Sequence, residues 1–187
     1  TICGNDPKRH VTERGKKSMS FNTDLLHAGV DREAKGATLT PIYQSSAFEQ
    51  DTAADLEKIF ENKAPGFCYT RVGNPTVAAF ENRITKLEGG MASIACASGM
   101  AAIMNAILNI VRSGDEIVSS ASLYGGSIDL FRDIEEFGIT TRYVKNNDWE
   151  AIEEAINEHT RLIFAETIGN PCLDVTDVER LAQIAHE

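Results

Sequence analysis

From Asn74 onward the chain switches between helical and strand spacing at regular intervals. Asn74 followed by Pro75 supplies a helix N-cap and a first helical residue, Val77, Phe80, Ile84 and Leu87 recur at helical spacing, and Gly89 is a stop. Residues 93–97 then form a short apolar run with strand character, and 99–112 a helix closed by Ser113 and Gly114. The alternation repeats with a strand at 117–119 and a helix over 127–137, in which Ile128, Leu130, Phe131, Ile134 and Phe137 precede Gly138. A strand at 139–144, a helix capped by Asp148 and running through 157, and a strand at 162–165 follow. Thr176 and Glu179 have capping-box spacing and open a last helix with Val178, Leu181, Ala182 and Ala185. From residue 93 the order is βαβαβαβα. Short strands that are apolar throughout and separated by helices predict an α/β fold, a parallel sheet with helices on both faces. Ligands of such sheets bind beyond the carboxyl ends of the strands. That rule singles out residues 98–100, 122–126 and 166–171.

Composition narrows the classes. With 187 residues, 42% of them hydrophobic, the chain can bury a core without disulfides or metal. A net charge of -10 argues against nucleic acid as a partner. Residues 1–18 are the exception, holding Lys8, Arg9, Arg14, Lys16 and Lys17 against Asp6 and Glu13, and read as a basic flexible leader, with Met19 a plausible start. Cys3, Cys68, Cys96 and Cys172 lie far apart with no C-x-x-C pair and no His at zinc spacing, so they read as reduced thiols and no metal site is expected. Residues 91–111 are uncharged over 21 positions, long enough for a bilayer, but Ser93, Ser98, Gly99, Asn105 and Asn109 favour a buried strand, turn and helix. No membrane association is expected, and without a visible secretion signal the cytoplasm is the default location. The final helix reaches Glu187 without a cap, which predicts an N-terminal portion of a longer protein with a truncated sheet. The domain reading is a leader over 1–18, an arm and loop over 19–73, and the first part of a ligand-binding domain over 74–187.

Several residues at the predicted strand ends can do chemistry. Gly99 and Met100 stand at a strand-to-helix turn, where free backbone amides suit a phosphate, although such a glycine also serves packing. The pattern is neither G-x-G-x-x-G nor a P-loop, which disfavours a nucleotide-binding domain. Tyr69 and Arg71 put a phenol and a guanidinium two residues apart before the helix at Asn74; they can hold a phosphate, or the Arg can cap a loop with the Tyr packed on it. Tyr124, followed by Gly125 and Gly126, offers a flat ring that can stack on a planar ligand. Glu166 and Asn170 offer a carboxylate and an amide to a polar ring substituent, and each is equally a loop residue in type.

Taken together, Y-x-R-x-x-N-P-T, L-E-G-G, A-S-G-M-A-A, L-Y-G-G and E-x-I-G-N-P, in this order, resemble the Cys/Met-metabolism family of pyridoxal-phosphate enzymes. The similarity runs from about residue 21 to residue 187. It implies an aspartate-aminotransferase-like fold (type I), pyridoxal 5'-phosphate as cofactor, and a homotetramer built as a dimer of dimers. It also implies roles: Gly99 and Met100 amides on the cofactor phosphate, and Tyr69 and Arg71 reaching that phosphate from the neighbouring subunit. Tyr124 is implied to stack on the pyridine and handle a proton at the leaving group, Asn170 to lie near the pyridine 3-oxygen, and Glu166 to support them.

The family's cofactor-bearing lysine lies in an S-x-T-K motif and its pyridine-nitrogen aspartate in a D-N-T motif; neither occurs in this chain. Thr85-Lys86 is its T-K pair and falls on a helix, on what reads as a solvated face. The chain alone is therefore expected to be inactive. For the whole protein the resemblance implies an amino-acid substrate with a leaving group on its γ-carbon and a thiol or sulfide acceptor. L-Y-G-G-S with Asp129-Leu130-Phe131, and E-T-I-G-N-P, are most similar to the family's O-acetylhomoserine sulfhydrylases, which make homocysteine or methionine. The cystathionine γ-synthases, cystathionine γ-lyases and methionine γ-lyases share every motif. A non-catalytic cofactor-binding fragment is the alternative from another class.

Overall fold

A computed structural model describes residues 20–30 and 36–187. The predicted basic leader and Met19 lie outside the described residues, as does Cys3. The chain divides between Ala95 and Cys96 into two compact units.

The first unit carries α1 (Phe21–His27), α2 (Ala53–Phe60) and α3 (Pro75–Leu87). Asn74 caps α3 as its sequence predicts: its side-chain oxygen accepts from Thr76 N at 2.9 Å, with Pro75 in the first turn. The same amide donates to Tyr43 O at 2.9 Å and Thr70 Oγ1 at 3.1 Å, so one buried side chain starts a helix and anchors two loops. Gly89 ends α3 with φ +64°, a conformation that favours glycine. Thr85 and Lys86 lie on α3, where Lys86 is exposed yet pairs with Asp24 of α1 at 2.9 Å. The helices α1 and α2 were not expected, although Thr52 and Asp55 show the N-cap spacing: Thr52 Oγ1 accepts from Asp55 N at 3.1 Å.

The second unit is the α/β body. It comprises α4 (Gly99–Ile110), β1 (Glu116–Ser120), α5 (Gly125–Glu135), β2 (Thr140–Val144), α6 (Trp149–Ala155), β3 (Thr160–Phe164) and α7 (Val178–His186). The strands are parallel in the order β2-β1-β3, with Ile117 opposite Thr141 on one side and Leu162 on the other. Ile117 and Val118, both fully buried, point to opposite faces of the central strand. Ile117 joins Ile107, Val111, Leu123, Phe131 and Ile134 under α4 and α5. Val118 joins Ile152 and Ile184 under α6 and α7. Helices on both faces of a parallel sheet are what the apolar strand pattern predicts.

Three expectations change. Residues 93–97 are not a strand: the described sheet has three strands, and Ala95 N donates at 2.8 Å to the Glu81 side chain. A strand needs a neighbour to complete its ladder, and this run has none among the described residues. The helix expected to reach 112 stops at Ile110, where Arg112 folds back and donates to Leu108 O and Val111 O at 2.6 and 2.7 Å. A cation there suits the negative helix end. Finally, Asp177 rather than Thr176 caps α7, accepting from Arg180 N at 3.0 Å. Thr176 is buried and donates to Glu166 O at 2.6 Å.

Candidate functional site

In the second unit the carboxyl ends of β1 and β3 lie side by side, and the chain leaves them for opposite faces, to α5 from β1 and to α7 from β3. In open α/β sheets ligands bind beyond the strand ends at such a divergence. Tyr124 and Asn170 lie on the loops that follow these two strand ends. Tyr124 is 55% exposed, so burial does not hold its ring. A Cβ on Gly126 would stand 2.5 Å from Cε1 of that ring, so the ring lies over a position that must lack a side chain. Asn170 is exposed and is joined to Pro171 by a cis peptide bond.

The Glu166 carboxylate does not face outward towards a ring substituent, as its position after a strand suggested. It accepts from Tyr124 N through both oxygens, at 3.1 and 3.0 Å, and from Ser127 Oγ at 2.9 Å. The two loops also touch at Gly169, where a Cβ would meet Ser122 Cβ at 2.7 Å and Asp174 Oδ1 at 2.5 Å. The Asn146 and, second, Ser122 side chains hold the Asp174 carboxyl below the usual carboxylate range. Neither contact is fully aligned: Asp174 Oδ1 and Asn146 Nδ2 are both cut off from solvent without a well-formed hydrogen bond. Asn147 secures the same segment, donating to Val175 O at 2.7 Å and accepting from Asp177 N at 3.0 Å. The hydrogen bonds of Glu166 and Asn147 span 28 to 42 residues of sequence and left no motif by which to foresee them.

Gly99 and Met100 begin α4. Ser98 Oγ caps the helix by accepting from Ala101 N at 3.1 Å, which leaves the Gly99 and Met100 amides without an acceptor among the described residues. A Cβ added to Gly99 would meet nothing within 4 Å. Two free amides at the start of a twelve-residue helix, with open space before them, fit a phosphate group.

Tyr69 and Arg71 belong to the first unit. Phe48 N donates to Cys68 O at 3.0 Å and Thr70 N to Ser46 O at 2.9 Å, which makes an antiparallel bridge that holds Tyr69 opposite Ala47. The Arg71 guanidinium lies 5.2 Å from the centre of the Tyr69 ring. It forms no ion pair with a carboxylate among the described residues. The pair thus stacks, while no hydrogen bond from the guanidinium caps a loop among the described residues.

The model of the Cys/Met metabolism PLP-dependent enzymes matches residues 22–187, nearly the whole described chain. The chain belongs to that family. O-acetyl-L-homoserine sulfhydrylase of Corynebacterium glutamicum is 44% identical over 170 residues, 89% of this chain and 39% of that protein. L-methionine gamma-lyase of Fusobacterium nucleatum is 36% identical over 91% of this chain and 43% of its own length. Among solved structures, one assigned as an O-acetylhomoserine (thiol)-lyase of Campylobacter jejuni superposes with a TM-score of 0.82 and 32% identity, over 90% of this chain and 42% of that one. It contains a pyridoxyl-lysine phosphate. The chain therefore spans about two fifths of the length of these relatives. The fold expectation and the pyridoxal-phosphate expectation both hold at the level of the family. None of the described helices is long and apolar enough to cross a membrane.

Proposed function

We propose that the protein carrying this chain catalyses γ-replacement on O-acetylhomoserine, exchanging acetate for sulfide or a thiol to give homocysteine or methionine. The observation that carries the reading is the 44% identity to a protein named O-acetyl-L-homoserine sulfhydrylase, which is higher than the 36% to a methionine gamma-lyase. When bound, pyridoxal phosphate supplies an electron sink that stabilises negative charge on the substrate's α-carbon.

In this reading the Gly99 and Met100 amides bind the cofactor phosphate. The Tyr124 ring stacks on the pyridine and moves a proton at the departing acetate, and the Asn170 amide orients the ring's 3-oxygen. Tyr69 and Arg71 complete the phosphate site of a neighbouring subunit in a dimer of dimers, supported by Arg71 having no carboxylate partner among the described residues. The 187 residues contain no S-x-T-K or D-N-T motif, so the proposal concerns the protein that carries this chain.

The test is to incubate that protein with pyridoxal phosphate, O-acetylhomoserine and sulfide, and to quantify products by mass spectrometry. The reading expects homocysteine and acetate in equal amounts. Methionine gamma-lyase is the second reading, favoured by the Fusobacterium relative; ammonia, methanethiol and a 2-oxo acid from methionine, with no homocysteine from O-acetylhomoserine, would replace the first reading by it.

A further inference from the structure

The start of α5 lacks a cap of its own. Tyr124 occupies the N-cap position and makes no side-chain hydrogen bond there, but its own amide donates to a carboxylate that follows another strand. Glu166, just beyond β3, accepts from Tyr124 N and from Ser127 Oγ, and so binds the end of β3 to the first turn of an 11-residue helix. A negative group at that helix end is favourable in itself. Ser127 is 1% exposed, so one arm of the clamp is anchored in the interior, while the ring of Tyr124 stands half in solvent. The backbone of Tyr124 is thus fixed, and its exposed ring lies over Gly126.

We propose that Glu166 is a positioning residue for Tyr124: by clamping the backbone at Tyr124 and the hydroxyl of Ser127, it sets where the Tyr124 ring stands at the edge of the sheet. The proposal takes from the reading above what the ring does, and from the hydrogen bonds what Glu166 does. Both carboxylate oxygens act only as acceptors, which matches an amide and a hydroxyl that donate. A glutamine of equal volume keeps one oxygen, which can hold Tyr124 N and Ser127 Oγ as Oε1 does, and turns an NH2 group towards Tyr124 N in place of Oε2, so Glu166→Gln weakens the clamp at the Tyr124 amide without leaving a cavity.

The test uses the protein that carries this chain, loaded with pyridoxal phosphate, as wild type, Glu166→Gln, Ser127→Ala, Tyr124→Phe and the Glu166→Gln/Tyr124→Phe double variant. Four quantities are read: kcat and KM for γ-replacement, the visible circular dichroism of the bound cofactor, and the melting temperature. Glu166→Gln is expected to lower kcat roughly 10- to 100-fold, the cost of an ångström-scale misplacement, with KM little changed. The circular dichroism of the cofactor changes with it. Ser127→Ala moves both readouts in the same direction by less, and Glu166→Gln adds little to Tyr124→Phe in kcat, as expected for groups that act as a unit. Wild-type circular dichroism and kcat in Glu166→Gln overturn the proposal, and so do losses that multiply those of Tyr124→Phe and track melting temperature. If Glu166→Gln does not fold, Ser127→Ala decides by the same two readouts, with wild-type values overturning the proposal. A wild-type protein that binds no cofactor, or a Tyr124→Phe variant with unchanged kcat, overturns the functional reading as well; failure confined to the Glu166 and Ser127 variants leaves that reading standing.

Discussion

Arg142 on β2 grips Glu116 on β1 at two points, Nε to Oε2 at 2.7 Å and Nη2 to Oε1 at 3.2 Å. Asn157 Nδ2 donates to the same Oε2 at 2.7 Å, and Glu116 N donates to His159 O at 2.9 Å. Glu116 therefore ties the start of β1 to β2 through its carboxylate, and to the turn before β3 through its carboxylate and its amide, at the end away from Tyr124.

This pair makes stability depend on pH. The Arg142 hydrogen bonds, and after them that of Asn157, hold the Glu116 carboxyl below its ordinary value of 4.5. A group depressed on folding stabilises above its unfolded pKa and loses that contribution as the pH falls through the folded one. Melting curves of wild type and Glu116→Gln should differ at neutral pH and converge as the pH drops below 4.5. A gap that stays constant through the acid range would show that the carboxylate charge contributes nothing.

Phe131 is fully buried on α5 and meets the Phe164 ring edge-on at 5.0 Å. Phe131→Ala removes the aromatic contact and leaves a cavity against β1 and β3. A loss of about 3–5 kcal/mol in urea unfolding is expected, with the denaturant slope unchanged if the unfolded state is unaffected.

Gly126→Ala tests the pose of the Tyr124 ring. The new Cβ would stand 2.5 Å from Cε1 and force the ring to turn. Weaker pyridoxal-phosphate binding and a changed visible circular dichroism are expected, with little change in melting temperature. Unaltered cofactor spectra would mean that the ring does not need to lie over Gly126.

Arg71→Ala separates function from folding. With no carboxylate partner among the described residues, its removal should change stability by no more than about 0.5 kcal/mol. Loss of pyridoxal phosphate on dialysis, against retention by wild type, is the expected outcome. Retention by the variant would remove Arg71 from the phosphate site.

What was legible in the sequence was local. Asn74 and Pro75 announce α3 because the cap bond closes over two residues, and Ile117 beside Val118 announces a strand buried on both faces. The failures are the interactions made at a distance. Residues 93–97 have the composition of a strand, but pairing is decided by a neighbour, and Glu81 takes the Ala95 amide instead. Thr176 has the spacing of a cap, but a carbonyl ten residues back, that of Glu166, claims its hydroxyl and leaves the cap to Asp177. Glu166 was visible as a carboxylate after a strand; its direction depends on an amide 42 residues away. The positions of Gly99, Met100, Tyr124 and Asn170 at strand and helix ends followed from the order of elements. The family motifs, not the spacing, are what put those positions forward as a cofactor site.

The most direct test of the account is borohydride reduction of the protein that carries this chain, after loading with pyridoxal phosphate, followed by mass spectrometry of its peptides. The account predicts a pyridoxyl phosphate group fixed on one lysine outside these 187 residues, with Lys86 unmodified. A protein in which no lysine acquires that group would contradict it.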